Sequence, residues 1–162
     1  MITVIDGNLL EATQDLICHQ TNCRGVMGAG VAGQIANKWP SVVQQYAKWC
    51  ESAGGHLPQE RLLGTILACM CGLTGNQRVV NLFGQLNPGA DTRYYALQNA
   101  LTHLRAFAFY MAGEDGVPLS IAIPFGMGCG IGGGDWKVVF AMIEKTLEGI
   151  EVVIYRYVPK PE

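Results

Sequence analysis

Two glycine-rich segments constrain the fold of this 162-residue chain more than any other feature. "GVMGAGVAG" occupies residues 25–33 and "GMGCGIGGG" residues 126–134, and together they hold ten of the 21 glycines. Each segment follows an apolar run typical of a strand and precedes a run typical of a helix. In open α/β sheets, ligands bind beyond the carboxyl ends of strands, where helix N-termini present N–H groups. We therefore expect two facing loops that bind a diphosphate through backbone donors.

Strands and helices alternate along the rest of the chain. The runs "ITVID", "DLICHQT", "GTILACMC", "QRVVNLFG", "PLSIAIPF" and "IEVVIYRYV" are predicted strands, and "GLTGN" is a hairpin-like connection between the third and fourth. Helices are predicted over Val31–Trp39, from Ser41 as N-cap to Gly54–Gly55, over "DTRYYALQNALTHLRAFAFYMAGEDG", and after Asp135. This order predicts an α/β layered fold with some parallel strands.

Length and composition predict one domain over residues 1–162. Hydrophobic residues make up 49% of the chain and charged residues 15%, so a well-buried core is expected. The net charge of −2 argues against a broad electrostatic contact with nucleic acid. No apolar run reaches the roughly 18 residues that span a bilayer, and the N-terminus lacks a signal-peptide pattern. We expect a cytoplasmic, monomeric protein that does not contact a membrane.

The six cysteines do not form a metal-binding pattern. No C-x-x-C pair occurs, and the three histidines do not complete a zinc site, so we expect free thiols, no metal and no cofactor. Cys69 and Cys71 share one face of a predicted strand and are expected in the core. Cys129 lies within the second glycine segment without a neighbouring base, which favours a small filling residue over a nucleophile.

The first glycine segment contains G-x-G-x-x-G at Gly28, Gly30 and Gly33, the fingerprint of a dinucleotide-binding turn. A strand already precedes this unit, the turn is longer than the fingerprint requires, and Glu51 falls at a helix end rather than at a strand end. An NAD-dependent dehydrogenase is therefore a remote alternative.

The segments "ICHQTNCRGVMGAGVAGQIANKWP" and "IAIPFGMGCGIGGGDWKVVFAMIEK" resemble the macro domain, an ADP-ribose-binding fold. The resemblance covers essentially the whole chain. More narrowly, the chain resembles the branch containing ADP-ribose-1″-phosphate phosphatases, the terminal ADP-ribose–glutamate hydrolase and DNA de-ADP-ribosylating antitoxins. The resemblance implies a three-layer α/β/α sandwich with a central mixed sheet.

The resemblance also implies a set of ligand contacts. Asn8 stands where the family usually has Asp beside the adenine, the loop Gly25–Val31 would wrap the distal ribose and its phosphate, and Gly126–Gly132 would hold the diphosphate. Asn22 would bond the distal ribose or serve only as a turn residue. The implied ligand-binding residues are Asn8, Leu9, Gln20, Thr21, Asn22, Gly25, Val26, Met27, Gly28, Ala29, Gly30, Val31, Phe83, Pro124, Phe125, Gly126, Met127, Gly128, Cys129, Gly130, Ile131, Gly132 and Tyr155, of which the three aromatic residues are equally explained as core residues.

His19 and Asp135 match positions of the His and Asp proposed to act in the phosphatases of this family. Together they could supply a base and an acid to the bond at the 1″ position. The alternative is structural, with His19 as a strand residue and Asp135 as a helix N-cap. One departure concerns the lysine that the hydrolase and the antitoxins use after the fourth strand. Gln85 or a neighbour stands there, and no lysine occurs between Lys48 and Lys137.

These residues leave several functions open. The first is binding of ADP-ribose derivatives with hydrolysis of the 1″ substituent, as in the ADP-ribose-1″-phosphate phosphatases. The second is a non-catalytic reader of ADP-ribose, and the third is a de-ADP-ribosylating hydrolase without the family lysine. The expected partners are ADP-ribose or ADP-ribose-1″-phosphate, free or as ADP-ribosylated protein or nucleic acid.

Overall fold

Six strands form one mixed sheet in the computed structural model, which describes residues 1–56, 58–71 and 75–162. Their order across the sheet is β1-β6-β5-β2-β4-β3, and only β3 runs antiparallel to its neighbour, β4. The strands are β1 Ile2–Asp6, β2 Leu16–Thr21, β3 Ile66–Met70, β4 Arg78–Phe83, β5 Ile121–Pro124 and β6 Val152–Arg156.

Four α-helices cover the two faces of the sheet: α1 Gly30–Lys38, α2 Pro40–His56, α3 Tyr94–Tyr110 and α4 Trp136–Thr146. Helices α1 and α2 share one buried cluster with the sheet, and α3 and α4 share a second cluster with its other face. The predicted three-layer α/β/α sandwich with a central mixed sheet is thereby confirmed.

The two cores follow from the period-2 alternation of buried strands. On β2, Ile17 packs in the cluster of α1 and α2, whereas Leu16 and Cys18 pack in the cluster of α3 and α4. Helix α3 contributes Leu97 and Leu101, which lie four residues apart on one helix face and are fully buried. Both faces of β2 are therefore apolar until the strand reaches its polar carboxyl end.

The structure differs from the sequence prediction at a few boundaries. Helix α2 begins at Pro40, so Ser41 lies inside the helix and is not its N-cap. The reason is that a proline fits the first turn of a helix, where its missing N–H has no intrahelical partner. Helix α2 ends at His56, close to the predicted stop. Two 3₁₀ turns, Leu9–Glu11 and Gln59–Leu62, were not predicted.

The connection "GLTGN" between β3 and β4 falls partly on residues 72–74, which lie outside the described residues. Cys69 and Cys71 are buried as predicted, and all six cysteines are free. Among the helices of the described ranges, none combines the length and hydropathy needed to cross a bilayer.

Candidate functional site

A cleft of about 400 Å³ opens at the edge of the sheet where the parallel strands β2, β4 and β5 end. This volume lies within the range of about 300–1,000 Å³ found for small-molecule sites. Its position beyond the carboxyl ends of parallel strands is the usual one in α/β folds. The lining residues are His19, Gln20, Thr21, Asn22, Val26, Gly28, Ala29, Gly30, Val31, Ala32, Gln85, Pro88, Gly89, Pro124, Phe125, Gly126, Met127, Gly128, Gly130, Ile131 and Gly132.

The first glycine loop, which joins β2 to α1, is organised by Asn22. Its Oδ1 accepts from the Arg24 N–H at 2.9 Å, and its Nδ2 donates to the Val26 carbonyl at 2.9 Å. The Tyr46 hydroxyl of α2 lies 2.8 Å from the same Oδ1 and 2.6 Å from the Asn22 carbonyl oxygen. Burial raises the pKa of Tyr46, so the phenol remains a donor at neutral pH. Sequence reasoning missed Tyr46 because its hydroxyl reaches the loop only through the packing of α2.

The second glycine loop, which joins β5 to α4, uses only some of its backbone N–H groups internally. Met127, Cys129 and Gly134 donate to the carbonyls of Pro124, Gly126 and Gly128, at 2.8–3.1 Å. Within the described part of the chain, the N–H groups without a protein acceptor in this loop are those of Gly126, Gly128, Gly130, Ile131 and Gly132. All five of these residues line the cleft.

The first loop has the same arrangement where it enters α1. The N–H groups of Gly28, Ala29, Gly30, Val31 and Ala32 precede the first intrahelical bond, in which Gly33 donates to the Ala29 carbonyl at 3.0 Å. These five residues also line the cleft. A helix N-terminus presents such donors together with the positive end of the helix dipole. Both loops can therefore donate to an anionic ligand from opposite walls.

The two loops approach each other over the cleft. A side-chain carbon built on Gly30 would lie 3.4 Å from Cδ1 of Ile131. Gly30 has a φ of +58°, in the left-handed region that favours glycine. The ligand space is consequently narrow here and is shaped by backbone rather than by side chains.

His19 lies at the floor of the cleft with 1% of its surface exposed. Its Nε2 lies 2.7 Å from Asn81 Oδ1 on the neighbouring strand, while Asn81 Nδ2 donates to the Leu67 carbonyl. Because that second bond fixes the Asn81 amide, Nε2 of His19 must be the donor and carries the proton. The buried Nδ1 is left as a lone-pair acceptor without a protein partner. Burial lowers the pKa of His19 to about 4, against a smaller opposing effect of the Asn81 bond, so the ring is neutral at pH 7.

Asp135 is the N-cap of α4, beside the second loop. Its Oδ1 accepts from the Lys137 N–H at 2.9 Å, and its own N–H donates to the Tyr94 hydroxyl at 3.0 Å. The side chain is exposed and is not among those that line the cleft. The cap satisfies one of the free donors at the start of the helix.

Several of the implied contacts lie outside the cleft lining. Asn8 caps the first 3₁₀ turn, where its Oδ1 accepts from the Leu10 N–H at 3.0 Å. Phe83 is fully buried and stacks on Tyr46, and the Tyr155 hydroxyl donates to Gln14 Oε1 at 2.7 Å. Phe125, by contrast, lines the cleft with 44% of its surface exposed. The implied residues outside the lining are Asn8, Leu9, Gly25, Met27, Phe83, Cys129 and Tyr155.

The cleft also has a third wall, formed by the connection between β4 and α3. Gln85, Pro88 and Gly89 lie in this wall. From the sequence, Gln85 was identified only as the residue in place of a family lysine, and Pro88 and Gly89 were not predicted. No local sequence pattern indicates this wall, because the segment after β4 reaches the cleft only through the parallel pairing of β4 with β2. Within the part of the chain that the structure describes, neither Lys nor Arg is among the residues that line the cleft.

Comparison with known proteins agrees with the fold. The profile of the macro domain family matches residues 18–143. The chain is 29% identical to the "Uncharacterized 17.5 kDa protein in tk-vs intergenic region" of Enterobacteria phage T4, with 98% of each chain covered. It is 34% identical over 58 residues to an ADP-ribose 1″-phosphate phosphatase of Saccharomyces cerevisiae, which covers 35% of this chain and 33% of the phosphatase.

A bacterial relative is similar in both sequence and structure. The chain is 30% identical to the DNA ADP-ribosyl glycohydrolase of Thermus aquaticus, with 100% of this chain and 43% of that protein covered. The solved macrodomain of Thermus aquaticus DarG superposes with a TM-score of 0.78 at 30% identity, covering 98% of this chain and 99% of that one. The chain thus spans less than half the length of this glycohydrolase. On the family match and this structural similarity, the chain belongs to the macro domain family.

Proposed function

We propose that this macro domain binds ADP-ribose in the cleft between its two glycine loops. The observation that carries the proposal is the coincidence of unpaired N–H groups with cleft-lining residues in both loops. A diphosphate is the part of ADP-ribose that accepts such donors, because each phosphate offers several oxygen acceptors to closely spaced amides. Phe125 offers an exposed aromatic face beside the second loop for a base or a ribose.

We further propose that the bound ADP-ribose derivative is hydrolysed at its 1″ substituent. Two of the relatives are hydrolases of ADP-ribose compounds by name, a glycohydrolase and a 1″-phosphate phosphatase. His19 supplies a lone pair at Nδ1 in the cleft floor, and Asp135 supplies a carboxylate beside the second loop. Chemistry through a lysine–sugar adduct does not fit, since Gln85 stands in the third wall and no lysine lines the cleft. We therefore favour attack by water, with loop amides stabilising the charge that develops.

We propose that the protein acts in the cytoplasm, a location supported by its six free cysteines, which fit a reducing compartment. That it acts there as a monomer is also a proposal. The substituent at the 1″ position is a phosphate in our first hypothesis. ADP-ribosylated nucleic acid or protein are the alternatives, the former favoured by the name of the bacterial relative.

Titration calorimetry with ADP-ribose and AMP tests the binding proposal. We expect ADP-ribose to bind with a dissociation constant in the micromolar range, which corresponds to a binding free energy of roughly −7 to −9 kcal/mol. AMP should bind much more weakly because it leaves most of the loop donors without an acceptor. Equal affinities for the two compounds would contradict a site built around the diphosphate.

The hydrolysis proposal is tested with Asp135→Asn and Asp135→Ala on ADP-ribose-1″-phosphate. Asparagine preserves the N-cap, so Asp135→Asn should keep the stability of the wild type, whereas Asp135→Ala should lose about 1 kcal/mol. If the carboxylate acts in the reaction, both variants lose turnover by about 100-fold or more. Full activity of Asp135→Asn would mean that Asp135 serves only as the helix N-cap. If the wild type is inactive on ADP-ribose-1″-phosphate and on ADP-ribosylated nucleic acid and protein, the protein is a non-catalytic reader of ADP-ribose.

A further inference from the structure

A partly buried hydrogen-bond network connects the end of β2, the third wall of the cleft and the second glycine loop. Gln20, at the end of β2, donates from Nε2 to Gln85 Oε1 at 2.8 Å and to Thr92 Oγ1 at 2.8 Å. Thr92, just before α3, donates from its hydroxyl to the Gly128 carbonyl at 2.7 Å and from its N–H to the Gly132 carbonyl at 3.1 Å. The second glycine loop is therefore held at two points by one threonine.

The orientation of every amide in this network is determined. Gln85 donates from Nε2 to the carbonyls of Asn87 at 2.6 Å and Gly89 at 3.1 Å, so its Oε1 must face Gln20. Both hydrogens of Gln20 Nε2 are then used, one on Gln85 and one on Thr92. As the Thr92 oxygen accepts from Gln20, its single hydrogen is free to bond Gly128.

Gln20 and Thr92 are closely packed against neighbouring glycines, which leave no room for a side chain beside the network. A side-chain carbon on Gly84 would lie 2.3 Å from Gln20 Oε1, and one on Gly128 would lie 2.8 Å from the same atom. A carbon on Gly132 would lie 2.5 Å from the Thr92 hydroxyl. Gln20 Oε1 is buried without a partner, an arrangement that native structures seldom retain without a reason.

We propose that Thr92, oriented by Gln20, is a positioning residue that holds the second glycine loop in its ligand-binding shape. The inference rests on the proposed function, because the loop amides it sets are the ones assigned to the diphosphate. Thr92 bonds the carbonyls of Gly128 and Gly132, two residues that line the cleft and whose own N–H groups have no acceptor among the described residues. Fixing these carbonyls fixes the peptide units Gly128–Cys129 and Gly132–Gly133, which flank the free N–H groups of Gly130, Ile131 and Gly132, here called the donor segment. The ligand then meets donors already in place and does not have to order the loop.

The test compares Thr92→Val with Thr92→Ser and with Thr65→Val as a matched control. Valine keeps the shape of threonine and removes only the hydroxyl, while serine keeps the hydroxyl. Thr65 is also partly buried and donates to a backbone carbonyl, that of Leu62 at 2.7 Å, but does not line the cleft. We expect Thr92→Val to weaken ADP-ribose binding about ten-fold, as befits the loss of hydrogen bonds to buried groups. Thr92→Ser and Thr65→Val should remain close to the wild type.

Amide hydrogen exchange on the ligand-free protein provides a readout that does not depend on ADP-ribose. Cys129, Gly133 and Gly134 donate hydrogen bonds within the second loop, and their exchange should become faster in Thr92→Val but not in either control. Gln20→Met, which removes the donor to Thr92, should act in the same direction and replaces Thr92→Val if that variant does not fold.

Each outcome bears on one of the two proposals. Unchanged exchange in Thr92→Val overturns the inference even if ADP-ribose binds. Faster exchange with unchanged ADP-ribose affinity also overturns it, since the loop shape would then not matter to the ligand. A wild type that does not bind ADP-ribose overturns the proposed function, and the exchange rates still decide whether Thr92 holds the loop.

Discussion

The ring of His19 donates at one nitrogen and offers an unpaired lone pair at the other, and both properties come from its neighbours on the sheet. The register pairs His19 with Asn81, whose amide is itself fixed by the Leu67 carbonyl. The protonated nitrogen is consequently Nε2, and Nδ1 is the atom available to a ligand or a water molecule. A base with a pKa of about 4 is weak at pH 7, so any role of His19 in hydrolysis is to accept a hydrogen bond rather than to hold a full charge.

The same burial makes the stability of the protein depend on pH through His19. The pKa falls from 6.5 in the unfolded chain to about 4 in the folded one, so the unfolded state binds more protons between these values. Stability from this group is fully present above pH 6.5 and is lost as the pH falls toward 4. The loss is at most roughly 3 kcal/mol, from the size of the pKa difference.

Urea unfolding of wild type and His19→Gln at several pH values between 7 and 4.5 measures this effect. We expect the stability of His19→Gln to fall less steeply with decreasing pH than that of the wild type, whatever its stability at pH 7. The exposed His103 provides the control, because His103→Gln should keep the slope of the wild type. Parallel curves for wild type and His19→Gln would show that His19 is not a buried neutral histidine.

At the scale of the loops, glycine is required where the backbone is left-handed and crowded at once. Gly128 has a φ of +75°, and a side-chain carbon there would lie 2.8 Å from Gln20 Oε1. Gly116, in the turn after α3, has a similar φ of +71° but no atom within 4 Å of such a carbon. A residue other than glycine would therefore be strained in its backbone at both positions, but only at Gly128 would its side chain also collide with a cleft residue.

Valine substitutions separate these two effects. We expect Gly128→Val and Gly116→Val each to lose roughly 1–2 kcal/mol of stability from the left-handed backbone. Only Gly128→Val should lose ADP-ribose affinity, by about 100-fold or more, because it displaces the donor segment and blocks the phosphate path. Gly30→Val should behave like Gly128→Val, from the opposite wall. Denaturant unfolding measures the stability of each variant, and calorimetry measures its ADP-ribose affinity. A folded Gly128→Val with normal affinity would mean that the second glycine loop is only a turn.

The elements were predictable from the sequence to a greater extent than the cleft. The strands and the four helices follow from local apolar periodicity, which is complete within each segment, whereas the three-layer order was implied by the resemblance to the macro domain. The loop donors were also predictable, because a glycine-rich segment between a strand and a helix indicates free backbone N–H groups from the local sequence alone. The third wall does not, since Gln85 reaches the cleft only through the pairing of β4 with β2. The Tyr46 bond to Asn22 and the Thr92 bond to Gly128 join elements distant in sequence, and no local pattern indicates them.

For the whole molecule, the distribution of charge sets how an anionic ligand would be held. The net charge is −2, and among the described residues neither Lys nor Arg lines the cleft. The exposed Arg24, which precedes the first glycine loop, donates to Asn87 and Gln59 and lies 3.8 Å from Glu60, so its charge is already partnered. Binding then depends on short-range donation from amides and on the helix dipole at α1, not on long-range attraction between full charges.

This distribution predicts that ADP-ribose affinity changes little with ionic strength. Salt screens interactions between separated charges over a Debye length of about 10 Å at 0.1 M, but has little effect on direct amide-to-phosphate bonds in a narrow cleft. Calorimetry at 50 and 500 mM NaCl should give dissociation constants that agree within about three-fold. Ile131→Lys, which places a cation on the second loop at an exposed position, provides the contrast because its affinity should be higher at low salt and should fall as salt is added. A ten-fold or greater loss of ADP-ribose affinity in the wild type over the same salt range would mean that a full positive charge, such as that of Arg24, contacts the diphosphate. The description of the cleft as a site of backbone amides alone would then be wrong.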